Sequence, residues 1–178
     1  MPVGPGCSWV GWDRVIKIKK VLVSTDFSAA AASAIPYAVS LAQEYEGEVH
    51  IVHVVEDSLY YAQFVYEGAP FDPTVLIEGL VEDRKKKLTE VLKDIPKNVK
   101  CRTHLRRGVV ATEIMAAAKE TDADLVVIAT HGRTGFSHLI FGSVAERVVR
   151  ECPCPVLTVR EKSYGMLVNS NPAGSKRT

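Results

Sequence analysis

The residues best suited to chemistry lie late in the chain, where Ala129-Thr130-His131-Gly132-Arg133-Thr134-Gly135 is followed by Gly142-Ser143-Val144. Glycines let a backbone approach a bulky ligand closely, because no Cβ stands in the way. A Gly-Ser pair at the start of a helix presents N–H groups that no carbonyl of that helix can reach. Such a terminus favours negative charge by about 0.3–1 kcal/mol per charge when exposed, so the segment is an anion cradle. Ser143 adds a hydroxyl donor, and Arg133 either adds a charge or is a plain surface arginine. A second polar cluster, Ser24-Thr25-Asp26, ends an earlier β-branched run. Asp26 there either faces a ligand or caps the helix that follows. No base stands beside Ser143 or Thr134, so fast turnover is not expected.

Histidines and cysteines add no site. His50 and His53 are three residues apart in an extended run, which turns them to opposite sheet faces and forbids a shared metal. His131 is expected to face solvent rather than a ligand, and His104 and His138 to be structural. Cys7, Cys101, Cys152 and Cys154 are too unevenly spaced for a disulfide framework. Cys152-Pro153-Cys154 lacks the usual zinc spacer and reads as thiols packed before a strand.

The elements that must position these residues follow from periodicity. Short β-branched runs at 20–25, 48–55, 99–105, 124–130 and 156–160 predict five strands. Helical spacing predicts four helices: one after Ser28 with Ala34, Ala38, Leu41 and Tyr45 on its buried face, and others at 74–93, 110–121 and 142–151. Gly47 is expected to stop the first helix. In the second, Ile77, Leu80, Val81, Leu88, Val91 and Leu92 form the apolar face, with residues 84–87 on the wet one. Strict alternation of strand and helix predicts an α/β fold, an open five-stranded parallel sheet with helices on both faces. In such a sheet ligands bind beyond the carboxyl ends of the strands, which is where both polar clusters fall.

Composition narrows the class. With 178 residues, 47% hydrophobic and 24% charged, the chain is expected to form one domain at 20–160, between flexible extensions at 1–19 and 161–178. A formal net charge of +1 gives no global attraction to nucleic acid or an anionic membrane, and the Lys85-Lys86-Lys87 run reads as a solvated face. No apolar stretch suits a signal peptide or a membrane span, so the expected location is cytoplasmic. A phosphate loop ending in Lys-Ser or Lys-Thr is missing, and the first turn, STDFSAA, is not the glycine-rich turn of a dinucleotide site.

The spacing of Ala129, Gly132, Gly142 and Ser143 resembles the ATP-binding pattern of the universal stress protein family: G, two residues, G, nine residues, then G and S or T. Ala129 stands where the pattern has its first glycine. The resemblance runs from Lys20 to Arg160, through VLVSTDFS, VHVVE, ATHGRTG, FGSVAERVV and CPCPVLTVR. It implies a Rossmann-like, adenine nucleotide α-hydrolase-like fold that binds ATP, with magnesium or manganese held through the phosphates. It also implies that Ser24, Thr25 and Asp26 face adenine and ribose, and that Val54 meets adenine through its backbone. Ala129, Gly132 and Gly135 would line ribose and phosphates, and Gly142, Ser143 and Val144 would hold the phosphates. A homodimer through the strand between Val156 and Arg160 is expected, because a short apolar edge strand needs a cover. The expected function is a nucleotide-binding stress or signalling module with slow or no hydrolysis. The alternative is a nucleotide-free homodimer of the same fold; Gly132, Gly142 and Ser143 favour the first.

Overall fold

The computed structural model describes residues 16–56, 73–131 and 142–160, with side chains from residue 77 onward in the second of these stretches. Strands and helices alternate: β1 (Lys20–Ser24), α1 (Ala29–Glu44), β2 (Glu48–Val55), α2 (Pro73–Lys93), β3 (Lys100–Arg107), α3 (Val110–Glu120), β4 (Leu125–Ala129), α4 (Ser143–Glu151) and β5 (Val156–Val159). The strands form one sheet in the order β3-β2-β1-β4-β5, every pair parallel. β1 thus lies between β2 and β4, and the chain leaves β1 and β4 toward opposite faces of the sheet.

Side-chain alternation divides the core. Val21, Val23, Val49, Ile51 and Val127 pack with Ala34, Ala38 and Ala42 of α1 and Leu88 of α2. Leu22, Val52, Val54, Val126 and Ile128 pack on the other face with Ile114 and Ala118 of α3 and Val148 of α4. Burying each Val, Leu or Ile of such a core contributes about 1.5–3 kcal/mol. The alanines of α1 let that helix approach the sheet closely, and they place the stretch after Ser24 against the strand ends.

Four expectations are corrected in detail. Tyr45 does not share the buried face of α1: the helix ends at Glu44, and Tyr45, its C-cap, is 37% exposed. Gly47 is not the residue that turns the chain; Glu46 takes the left-handed conformation, with φ 51°. The N–H of Gly47 then donates to Ala42 O at 2.7 Å and that of Glu46 to Gln43 O at 3.3 Å, the paired bonds of a Schellman end. β3 ends at Arg107, not Leu105, because all eight residues of β2 find a partner on it.

The fourth correction bears on function. Arg84 is not on the wet face of α2; its side chain is 14% exposed. Residues 77, 81, 84, 88 and 91 follow one another at alternate spacings of four and three, so Arg84 continues the apolar stripe. Lys85 and Lys86 do face solvent.

Candidate functional site

At the carboxyl ends of β1 and β4 lies a cleft of about 430 Å³, at the point where the connections diverge. A larger hollow of about 480 Å³ lies at the opposite end of the strands, lined by residues such as Lys19, Gly47 and Lys100. There the Lys19 Nζ already donates to Tyr45 O and Glu46 O, closing the end of α1. The strand-end rule and the polar loops both select the first cleft.

Ser24, Thr25, Asp26, Val54, Ala129, Gly142, Ser143 and Val144, eight of the residues singled out from the sequence, all line this cleft. Gly132, Arg133 and Gly135 lie outside the described residues, as does His138. The segments that meet are more than a hundred residues apart in the chain, and the pairing of β1 with β4 brings them together.

The β1 end is fixed by its own hydrogen bonds. Thr25 N–H donates to Val52 O at 2.9 Å, and His53 Nδ1–H donates to Thr25 O at 2.7 Å. Thr25 Oγ1 accepts from Phe27 N–H at 3.0 Å. The cap of α1 is Ser28, whose hydroxyl accepts from Ala31 N–H at 3.2 Å. Asp26 acts one step back: its Oδ1 accepts from the Ser28 N–H at 2.9 Å and from the Ser28 hydroxyl at 2.5 Å. The carboxylate therefore braces the cap and lines the cleft at once.

The β4 end supplies the start of α4. Gly142, the N-cap of α4, donates its N–H to Thr130 O at 2.8 Å and accepts from Glu146 N–H at 2.9 Å. The N–H groups of Ser143, Val144 and Ala145 are then the first-turn donors with no acceptor inside the helix, and all three residues line the cleft. Gly142 has an ordinary φ of −72°, and a Cβ there would sit 3.4 Å from Thr130 O, so the backbone at this position accepts a Cβ without a clash. His131, expected at the solvent, lines the cleft, and its Nδ1 lies 3.0 Å from Thr130 Oγ1.

Sequence reasoning missed the side walls. Leu80 and Arg84 of α2 close the cleft from one face of the sheet, and Val110 and Ile114 of α3 from the other. The helical stripe through Arg84 was the available signal. Among the described residues no group of three His, Cys, Asp or Glu side chains is arranged to hold a metal ion.

His50 and His53 do point to opposite faces: His53 lines the cleft, whereas His50 lies away from it. His50 Nε2 lies 3.1 Å from Glu48 Oε1, and its Nδ1 lies 2.9 Å from Nε2 of His104 on β3. The hydrogen bond from His50, with the nearby charges of Arg102 and Lys20, holds the Glu48 carboxyl below the usual range. Burial, then the interaction with His50 and the positive charges of Arg106 and Arg102, pushes His104 down. Cys152 and Cys154 stand as free thiols with sulfurs 3.8 Å apart, and burial beside Cys152 pushes the Cys154 thiol up to about 12. Among the described residues no helix is long and apolar enough to cross a membrane.

The fold is shared with known proteins. The family model described as "Universal stress protein family" matches residues 17–160. Universal stress protein MJ0531 of Methanocaldococcus jannaschii is 36% identical over 144 residues, spanning 80% of this chain and 82% of that protein. The solved structure of MJ0577 from the same organism aligns with a TM-score of 0.71 at 26% identity, over 82% of this chain and 97% of that one. A universal stress protein from Archaeoglobus fulgidus, solved in complex with dAMP, shares the fold at 22% identity with a TM-score of 0.55, over 81% of this chain and 98% of that one. The chain belongs to the universal stress protein family.

Proposed function

We propose that the chain binds ATP in the cleft between β1 and β4 and serves as a nucleotide-binding module of stress response or signalling in the cytoplasm. The observation that carries this reading is the convergence, in one cleft at the switch point of the sheet, of the polar β1 end, Val54 and the first-turn N–H groups of α4. The phosphates lie at Ser143, Val144 and Ala145, with the Ser143 hydroxyl as an added donor, and the base lies toward Asp26 and Val54. Gly132 and Gly135 join the site on the strength of the family resemblance, and Arg133 as an added charge in the same loop. The complex of a protein of this fold with dAMP supports the same ligand chemistry. Magnesium or manganese arrives with the phosphates, since these supply the oxygen ligands a divalent ion prefers.

Binding, not turnover, is the activity, because a cradle of donors stabilises phosphate without positioning a base for water. Two experiments test the reading. Denaturing the purified protein and identifying what it releases gives the natural ligand directly. Calorimetric titration of ATP into Ser143→Ala should show a loss of about ten- to a hundredfold, the roughly 1.5–3 kcal/mol of one hydrogen bond to a charged group. Gly142→Val should lose more, at a cost in stability of about 1 kcal/mol for the poorer N-cap. A folded Gly142→Val protein with undiminished ATP affinity removes the cradle assignment.

A further inference from the structure

Arg84 is a cationic side chain in the cleft wall, and the glycine motif does not account for it. A long charged side chain that is 14% exposed is held by its surroundings. Its guanidinium lies 5.9 Å from the centroid of the Phe27 ring, and Nη1 is 3.3 Å from Asp83 Oδ2. Phe27 is fixed in turn. Its N–H is bonded to Thr25, and its ring centroid is 4.4 Å from that of His53. Its backbone stands at φ 64°, a conformation that costs a bulky residue about 1–2 kcal/mol. Strained backbone of this kind persists where the surroundings over-determine it, often beside a ligand.

The placement says which part of a ligand Arg84 meets. α2 packs beside β2 and β3, whereas α4 packs beside β5 and α3. A ligand with its phosphates at Ser143 therefore reaches across β1 and ends near Val54, Leu80 and Arg84. Val110 and Ile114 give that end an apolar wall from the other face of the sheet. We propose that Arg84 contacts the nucleotide base, its guanidinium plane lying on the ring, and that it sets a preference for purine over pyrimidine. The proposal rests on the nucleotide reading above. A planar guanidinium stacks on aromatic faces, and a two-ring purine offers it more overlap than a pyrimidine.

The test is calorimetric titration of wild type, Arg84→Ala and Arg84→Lys with ATP, CTP, adenosine and inorganic tripolyphosphate, each nucleotide-free protein being melted as a folding control. Arg84→Ala should weaken ATP and adenosine by the same factor, about tenfold. It should narrow the gap between ATP and CTP and leave tripolyphosphate unchanged. Arg84→Lys, which keeps the charge and the stem without the plane, should behave as Arg84→Ala does, and it carries the test if the alanine variant does not fold. Undiminished ATP binding by folded variants overturns the proposal and leaves the nucleotide reading standing. A loss shared by ATP and tripolyphosphate but not adenosine also overturns it, by assigning Arg84 to the phosphates. Wild-type protein that binds neither ATP nor adenosine removes the nucleotide reading and this proposal together.

Discussion

At the residue scale, several side chains in and near the cleft serve two purposes, and the structure separates them. Asp26 braces the Ser28 cap, so Asp26→Ala should loosen the start of α1 as well as alter ligand contacts. The Glu48–His50–His104 chain lies apart from the cleft and makes a prediction of its own. His104 titrates below its ordinary value of 6.5 because burial and neighbouring positive charge disfavour its charged form. On acidification the unfolded state takes up a proton before the folded state does. The stability that neutral His104 supports is thus complete above about pH 6.5 and declines as pH falls toward its lowered folded value. Glu48, also held below its ordinary 4.5, extends the loss further into acid: its contribution is present above that value and declines as pH falls through its folded one. Urea unfolding should therefore show lower stability at pH 5.5 than at pH 7.5, by at most about 1.4 kcal/mol per proton and pH unit. His104→Gln should flatten that dependence, and an unchanged slope in this variant would assign the acid sensitivity elsewhere.

At the element scale, helix ends and strand ends interlock at the amino-terminal side of the sheet. The Asp124 carboxylate accepts from the N–H groups of Lys19 and Lys20 at 2.8 and 2.9 Å, tying the start of β1 to the start of β4. Gly47 passes so close to the same segment that a Cβ would stand 2.5 Å from Lys19 O. Backbone cannot retreat there without disturbing the β1–β2 register, in which Lys20 pairs with Glu48. Gly47→Ala should cost about 1–3 kcal/mol, the usual penalty of an overpacked site. Glu46→Gly should cost nothing and can gain up to about 1 kcal/mol, because glycine adopts the left-handed conformation without a Cβ clash. Thermal melts of the two variants check the contrast. Equal losses would mean that Gly47 serves the turn and not the close approach.

At the scale of the whole molecule, β5 is the edge of the sheet beyond β4, only four residues long and partly buried on the described surface. Its outer backbone groups invite a second copy, so a homodimer through β5 is expected in sedimentation equilibrium at tens of micromolar. A monomer at that concentration, with and without nucleotide, would count against it. Much of this molecule was legible in the sequence, because alternating hydrophobic periods of about two and 3.6 residues define strands and helices, and strict βα alternation forces a parallel sheet. That Ser24, Asp26, Ala129 and Ser143 meet in one cleft at the strand ends was legible too, since strand ends are where such a sheet binds ligands. The order β3-β2-β1-β4-β5 was not read from periodicity, because local pattern carries no information on which strands pair. For the same reason the inward turn of Arg84 escaped notice: a charge on an apolar stripe looks solvated until the aromatic ring and the cleft it faces are brought beside it. The residue that turns the chain after α1 depended on tertiary contact as well, since glycine at position 47 is required by the approach of Lys19, a residue nearly thirty positions away, and left the left-handed turn to Glu46.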